Sequence, residues 1–110
     1  MTRLIIDAKP IQDYVAERRA AGAQGLTIMH VVGCAAARAV SAVPAANARV
    51  RAGKIVPFKD VSIGYAVDIG QGTDLAPCRI DDADQLSPAE MATAVWRGVK
   101  ALRDGSDPGF

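Results

Sequence analysis

The chain has 110 residues, of which 50% are hydrophobic, 23% charged and 5% aromatic, and its thirteen basic and twelve acidic side chains leave a net charge of +1. That length suits one small domain or part of a larger one, and the balanced charge leaves no surplus cation to drive counterion release, which excludes nucleic-acid binding by bulk electrostatics. Leu, Ile, Val and Phe reach the level of a folding sequence, but twenty-one alanines supply much of the apolar count, so the core is lean and calls for a partner surface.

Near the N-terminus, Leu4, Ile5 and Ile6 form a short apolar run suited to a strand. Pro10 follows, and it fits the first turn of a helix because its missing N–H has no intrahelical partner there. Ile11, Tyr14, Val15 and Arg18 then share one helical face, and Gly22 and Gly25 close the element. Thr27 is placed to cap a second helix over residues 28–43, which is expected to bury Val31, Val32, Ala35 and Ala39 and to end at Pro44. This is also the longest apolar tract. His30, Arg38 and Ser41 interrupt it, and it is too short to cross a bilayer.

Residues 49–51 and 54–58 flank Ala52-Gly53, a tight turn between two short strands. From Val61 through Ile63, Tyr65 and Val67 to Ile69, apolar residues alternate with Ser62, Gly64, Ala66 and Asp68, the period of a strand with one face buried. A turn over residues 70–74 leads to a further strand over residues 75–80. Ser87, Pro88 and Glu90 then form an N-terminal helix signature, with Met91, Val95, Val99 and Leu102 as its buried stripe. Lys100 and Arg103 complement the dipole at its end, and Gly105 terminates it. Residues 104–110 read as a loose tail. Strands clustered between helices give an α+β class: two layers, with helices packed on one face of a mainly antiparallel sheet.

Few residues offer chemistry. His30 shares a helical face with Cys34 and Arg38 at steps of four, so a thiol and an imidazole could form a nucleophile and base pair, yet no local sequence supplies an orienting group or oxyanion donors. The simpler reading is a packed histidine beside a small buried thiol. Asp81, Asp82 and Asp84 could offer carboxylate oxygens to a cation, but their spacing matches no calcium loop, and an acidic solvated loop ahead of a helix is favourable by itself. Gly70-Gln71-Gly72 lacks the third glycine and the following helix of a phosphate cradle and reads as a hairpin turn. Trp96 either forms a contact surface with Arg97 or, more simply, sits at the edge of the core, and Arg18, Arg19, Arg49 and Arg51 either meet phosphates or form a solvated face. The two cysteines, with no hydrophobic leader ahead of them, point to reduced thiols in a cytoplasmic protein.

Taken in order, these pieces resemble the catalytic domain of the 2-oxo acid dehydrogenase acyltransferases, the dihydrolipoamide acyltransferases. The resemblance runs from Leu4 to Arg103. It rests on Ile6-Asp7-Ala8-Lys9-Pro10, on Leu26-Thr27-Ile28-Met29-His30-Val31-Val32 opening an alanine-rich helix, and on Pro44 followed by Asn47-Ala48. It continues through Lys54-Ile55-Val56 and Asp60-Val61-Ser62-Ile63-Gly64-Tyr65-Ala66-Val67 to Leu75-Ala76-Pro77 and Asp82-Ala83-Asp84-Gln85-Leu86-Ser87.

The resemblance implies half of a coenzyme A-dependent acyltransferase fold, like that of chloramphenicol acetyltransferase, with residues 1–110 as a single partial catalytic domain. It also implies passage of an acyl group between coenzyme A and a dihydrolipoyl carrier, coenzyme A being a substrate and not a tightly bound cofactor. Expected partners are further copies of the chain, a lipoyl carrier domain and dehydrogenase complex subunits, with no nucleic acid, membrane or metal. The family's general base lies in a His-x-x-x-Asp-Gly motif, and its Ser or Thr oxyanion donor also lies in the second half of the domain. Here Cys34 and Ala35 stand where Asp and Gly would follow His30, so no catalytic role passes to it. The usual acid-Asp-Gly-Leu turn is replaced by Gly70-Gln71-Gly72-Thr73-Asp74-Leu75, and residues 78–82 hold one extra residue. Two other readings stand beside the enzyme: an inactive assembly or regulatory module of a dehydrogenase complex, and a small-ligand binder using Ser62, Gly64 and Ala66.

Overall fold

The structure, a computed structural model, describes residues 3–70, 72 and 74–105. The first element is helix α1, Lys9–Ala20, with Pro10 in its opening turn and the Lys9 backbone N–H donating to Asp7 Oδ1 at 3.0 Å. Asp7 thereby satisfies one of the amides that a helix start leaves without an intrahelical acceptor. Val15 is its buried residue, as the face pattern predicts, while Arg18 lies exposed with its guanidinium 5.4 Å from the Tyr14 ring centroid. Gly22 and Gly25 take positive φ angles of 109° and 81°, a conformation that costs glycine little, and together they reverse the chain. Arg19 Nε donates to the Leu26 carbonyl at 2.7 Å and pins this connection to α1.

Helix α2, Ile28–Ala42, is rotated from the expected orientation. Its buried residues are Gly33, Cys34 and Ala37; Val31 is half-buried, and Val32, Ala35 and Ala39 face solvent. Close approach explains the rotation. A side chain at Gly33 would overlap the Tyr65 hydroxyl, so this helix turns its smallest residues, not its largest, toward the sheet. A 3₁₀ turn, Pro44–Ala46, ends it.

Strands β1 (Ala48–Arg51) and β2 (Lys54–Pro57) pair antiparallel across Ala52-Gly53, whose φ angles of 51° and 76° give the doubly left-handed turn that suits a two-residue hairpin. Strands β3 (Ile63–Asp68) and β4 (Leu75–Ile80) form a second antiparallel pair, in register from Ile63 opposite Ile80 to Asp68 opposite Leu75. The alternation reads correctly: Ile63, Tyr65 and Val67 pack toward the core and Gly64, Ala66 and Asp68 face out. Each pair is its own two-stranded sheet. The expected strand at Leu4, Ile5 and Ile6 is absent: the three residues are exposed and unpaired, because an apolar run becomes a strand only when a neighbouring edge accepts it.

Helix α3, Pro88–Arg103, starts as its sequence predicts, with the Glu90 N–H donating to Ser87 Oγ at 3.2 Å and the Ser87 N–H donating to Glu90 Oε1 at 3.0 Å. It lies against β4 and α2, and Gly98 permits the contact with the strand, since a Cβ there would stand 2.5 Å from Cys78 Sγ. Met91 is fully buried, with Val95 and Leu102 partly buried around it. The core has two parts. One joins Cys34, Ala37, Val61, Cys78, Ile80, Ala83 and Met91; the other joins Val15, Leu26 and Ala92 between α1, α2 and α3.

The class is therefore α+β with the helices on one face of the β3–β4 pair, as expected, although the strands form two sheets and not one. Among the described residues Leu26 and Met91 are the largest side chains shut off completely from solvent, in keeping with a lean core. The radius of gyration is 15.7 Å, against about 13 Å for a compact chain of this length. Among the described residues no helix is long and apolar enough to cross a membrane. The expected loose tail falls at residues 104–110, of which 106–110 lie outside the described residues.

Candidate functional site

The His30 ring borders an open, mostly apolar cleft of about 430 Å³ between the α1–α2 connection and the outer face of α3. Gln24 and Gly25 form one rim, and Thr93, Trp96 and Val99 form the other. Trp96 is 64% exposed, with Lys100 Nζ 5.4 Å from its ring centroid. The indole thus belongs to the surface. Thr93 Oγ1 donates to the Ala89 carbonyl at 3.2 Å, so its proton is already engaged within the helix.

His30 owes its orientation to the start of α2. The Thr27 backbone N–H donates to His30 Nδ1 at 3.0 Å, and Thr27 Oγ1 lies 3.2 Å from the same nitrogen. The ring therefore serves at the third helical position, where Glu or Gln usually reaches back to the cap residue. An Nδ1 that accepts from an amide has no proton of its own, so the neutral ring carries its proton on Nε2. Burial lowers the imidazole's pKa by disfavouring its charged form. This arrangement leaves Nε2 as a hydrogen-bond donor, not a base.

The proposed partner of that ring fares no better. Cys34 is buried, and burial pushes its thiol pKa up, outweighing the opposing effect of Arg38. A nucleophile needs the opposite shift. The shared face of His30 and Cys34 is real, but the imidazole is committed to Thr27 and the thiol to the core. Sequence reasoning missed Tyr65 as the third member of this neighbourhood. Its hydroxyl donates to the Met29 carbonyl at 3.1 Å, directly over Gly33, and its ring centroid lies 6.4 Å from that of His30. Burial and then the nearby Cys34 and Cys78 raise the phenol's pKa, which keeps it a donor. The signal was present: a tyrosine on the buried face of β3 needs a polar partner for its tip.

Most of the remaining candidates have local partners. Ser62 Oγ donates to Asp81 Oδ1 at 2.9 Å and Arg79 Nε donates to the same oxygen at 2.8 Å, so that carboxylate is held below its usual range. Asp82 sits at φ 51°, and the negative charge of Asp60, then burial and the other acids, raise its carboxyl pKa. Among the described residues no group of three His, Cys, Asp or Glu side chains is placed to hold a metal ion. In the glycine turn, the Gly70 N–H donates to Asp68 Oδ1 at 3.0 Å, and Gly72 adds a second backbone hydrogen bond to that carboxylate. The Gly70 and Gly72 amides thus face an aspartate. Gln71 and Thr73 lie outside the described residues. Arg19 is spent on Leu26, Arg49 stacks 5.7 Å from the Phe58 ring centroid, and Arg51 and Arg97 are exposed.

A family model described as the 2-oxoacid dehydrogenases acyltransferase (catalytic domain) fits residues 2–107. No curated protein and no solved structure matches the chain.

Proposed function

Because the chain belongs to the 2-oxoacid dehydrogenase acyltransferase family, we propose that residues 1–110 form part of an acyltransferase catalytic domain that passes an acyl group between coenzyme A and a dihydrolipoyl carrier. The observation that carries the reading is the family match along nearly the whole chain. On this reading β3, β4, α2 and α3 supply part of the sheet and one wall of the substrate channel. Further copies of the chain, a lipoyl carrier domain and dehydrogenase subunits are its partners, in the cytoplasm.

The reaction needs a base to take the proton of the attacking thiol and a donor to steady the oxyanion of the tetrahedral intermediate. His30 does not fit the first role. Its Nδ1 is engaged by Thr27, and the residues after it, Cys34 and Ala35, depart from the family's His-x-x-x-Asp-Gly motif. General-base catalysis contributes about a hundred- to ten-thousand-fold, and one oxyanion donor about a hundred- to a thousand-fold. The 110-residue chain alone is therefore expected to catalyse no measurable transfer. A second reading, an inactive assembly or regulatory module, draws support from the exposed apolar residues Leu4, Ile5, Met29, Val50 and Ile55.

Two measurements test this. Chromatographic detection of acetyl-dihydrolipoamide formed from acetyl-coenzyme A should give background rates for both the chain and its His30→Ala variant. Turnover that disappears in His30→Ala would restore His30 as a base and overturn the expectation that the chain alone is inactive. Thermal melting with millimolar coenzyme A should show a small dose-dependent rise if a channel wall is present, because a ligand that binds only the folded state stabilises it by mass action. A flat response to coenzyme A and to dihydrolipoamide would favour the module.

A further inference from the structure

His30 and Trp96 are the chain's single histidine and single tryptophan. Both line the cleft between the α1–α2 connection and α3, and the acyl-transfer reading gives neither a task. The cleft's volume is about 430 Å³, within the range of about 300 to 1,000 Å³ typical of sites for small organic ligands. Only a compact molecule fits.

The lining decides its chemistry. Ala92, Val95 and Val99 recur at helical steps along α3 and give the cleft an apolar wall, while the Trp96 indole stands 64% exposed at the rim. A flat ring laid against that indole gains a stacking contact that an aliphatic group lacks. Polar groups are few and all of one sense. Because His30 Nδ1 accepts from the Thr27 N–H, the neutral ring carries its proton on Nε2. Among the described residues that N–H has no acceptor, and no unpaired side-chain nitrogen is buried, so the donor reaches solvent where the ring borders the cleft. Lys100, one turn beyond Trp96, holds its ammonium 5.4 Å from the indole centroid and forms no ion pair among the described residues. Over the last two turns of α3, Arg97, Lys100 and Arg103 outnumber Asp104, and no acidic residue is among those lining the cleft. An anion meets donors here and no opposing carboxylate.

We propose that this cleft binds a small aromatic carboxylate, its ring stacked on Trp96 beside the apolar wall of α3 and its carboxylate accepting from His30 Nε2–H in the field of the Lys100 ammonium. Such a ligand touches both the α1–α2 connection and α3, which otherwise meet in the small cluster of Val15, Leu26 and Ala92. Binding therefore ties the first helix pair to the last helix. The ligand belongs to a different chemical class from coenzyme A, so failure of the proposal leaves the family assignment and the acyl-transfer reading untouched.

Because each aromatic reporter occurs once, nitrogen-15 NMR of the whole chain reads the site directly. On addition of phenylacetate, the Trp96 indole N–H and the His30 ring signals should shift together and saturate with one Kd. Benzyl alcohol keeps the ring without the charge, and cyclohexylacetate keeps the charge without the stacking; each should bind about tenfold more weakly. His30→Glu retains the side-chain acceptor that caps α2 but sets a carboxylate at the cleft, and it should abolish the response at Trp96. Trp96→Leu, followed at His30, should weaken binding about tenfold, and Lys100→Gln several-fold, whereas Arg97→Gln, outside the cleft, should leave the affinity unchanged. Urea unfolding as cooperative as the parent's separates loss of binding from loss of fold. The absence of a saturable shift, or a His30→Glu chain that binds like the parent, overturns the proposal. Equal affinity for benzyl alcohol overturns the carboxylate assignment, and displacement of phenylacetate by coenzyme A overturns the separation of this site from the acyl-transfer channel.

Discussion

The two hairpins share a topology and differ in nearly everything that stabilises them. β3–β4 has one face against the helices, with Cys78 and Ile80 buried and Ile63, Tyr65 and Val67 packed beside them. In β1–β2 every strand residue but Ala48 is exposed. A turn with the right backbone angles suffices to pair two strands, but only burial on one face makes the pair resist opening.

Substitution in the first region should break it outright. Met91 is fully buried where α3 meets the core, so Met91→Ala is expected to cost about 2 to 5 kcal/mol, read from urea unfolding. Ile55→Ala, measured at dilution where the chain is monomeric, should cost well under 1 kcal/mol. Equal costs would erase the contrast.

Helix-to-sheet contact gives the next effect. Gly33→Ala places a methyl group against the Tyr65 hydroxyl and should destabilise by about 1 to 3 kcal/mol despite alanine's better helix propensity. Tyr65→Phe removes that oxygen, so the double variant should recover part of the loss. Strict additivity in the double-mutant cycle would mean that α2 shifts to accommodate the methyl group.

His30 supplies a pH dependence confined to the same body. Its pKa in the folded chain is lowered, so on acidification the unfolded chain takes up the proton first. Stability is therefore intact above about pH 6.5 and falls as the pH drops below it. His30→Gln keeps an acceptor at the third helical position but cannot titrate, and it should flatten the urea midpoint between pH 7 and 5. A His30→Gln chain that loses as much stability as the parent over that range would assign the effect elsewhere.

The smallest effect belongs to the exposed hairpin. Ala52 at φ 51° carries a strain that Asn or Gly tolerates better, so Ala52→Asn should stabilise the turn by up to about 1 kcal/mol. Because β1–β2 is weakly joined to the body, the gain should appear as slower hydrogen exchange at its own amides and leave the global melt unchanged.

The sequence was most legible where a signal is local. Ser87, Pro88 and Glu90 marked the start of α3, Ala52-Gly53 the first turn, and the alternation through Ile63, Tyr65 and Val67 the buried side of β3. Its failures involve distance. Leu4, Ile5 and Ile6 have strand composition, but pairing is decided by a remote edge. Alanine surrounds α2 so evenly that periodicity could not choose a face, and the choice fell to Gly33 beside a tyrosine thirty-two positions later in the chain. At the candidate site, the step from Thr27 to His30 was a readable capping signal. Reading His30 toward Cys34 followed helical spacing and overlooked the amides at the helix start.

Cys34 and Cys78 lie in one core cluster, on α2 and β4, at 4% and 2% exposure. A thiol reagent too large to enter that core can reach either sulfur only after the packing around it has opened. The rate of labelling at each cysteine is therefore a clock for a different event: release of α2 from the sheet at Cys34, and withdrawal of α3 from the strand at Cys78, where Gly98 seals the sulfur. If the two clocks run together, the body opens as one unit; if Cys78 reacts first, α3 is the door.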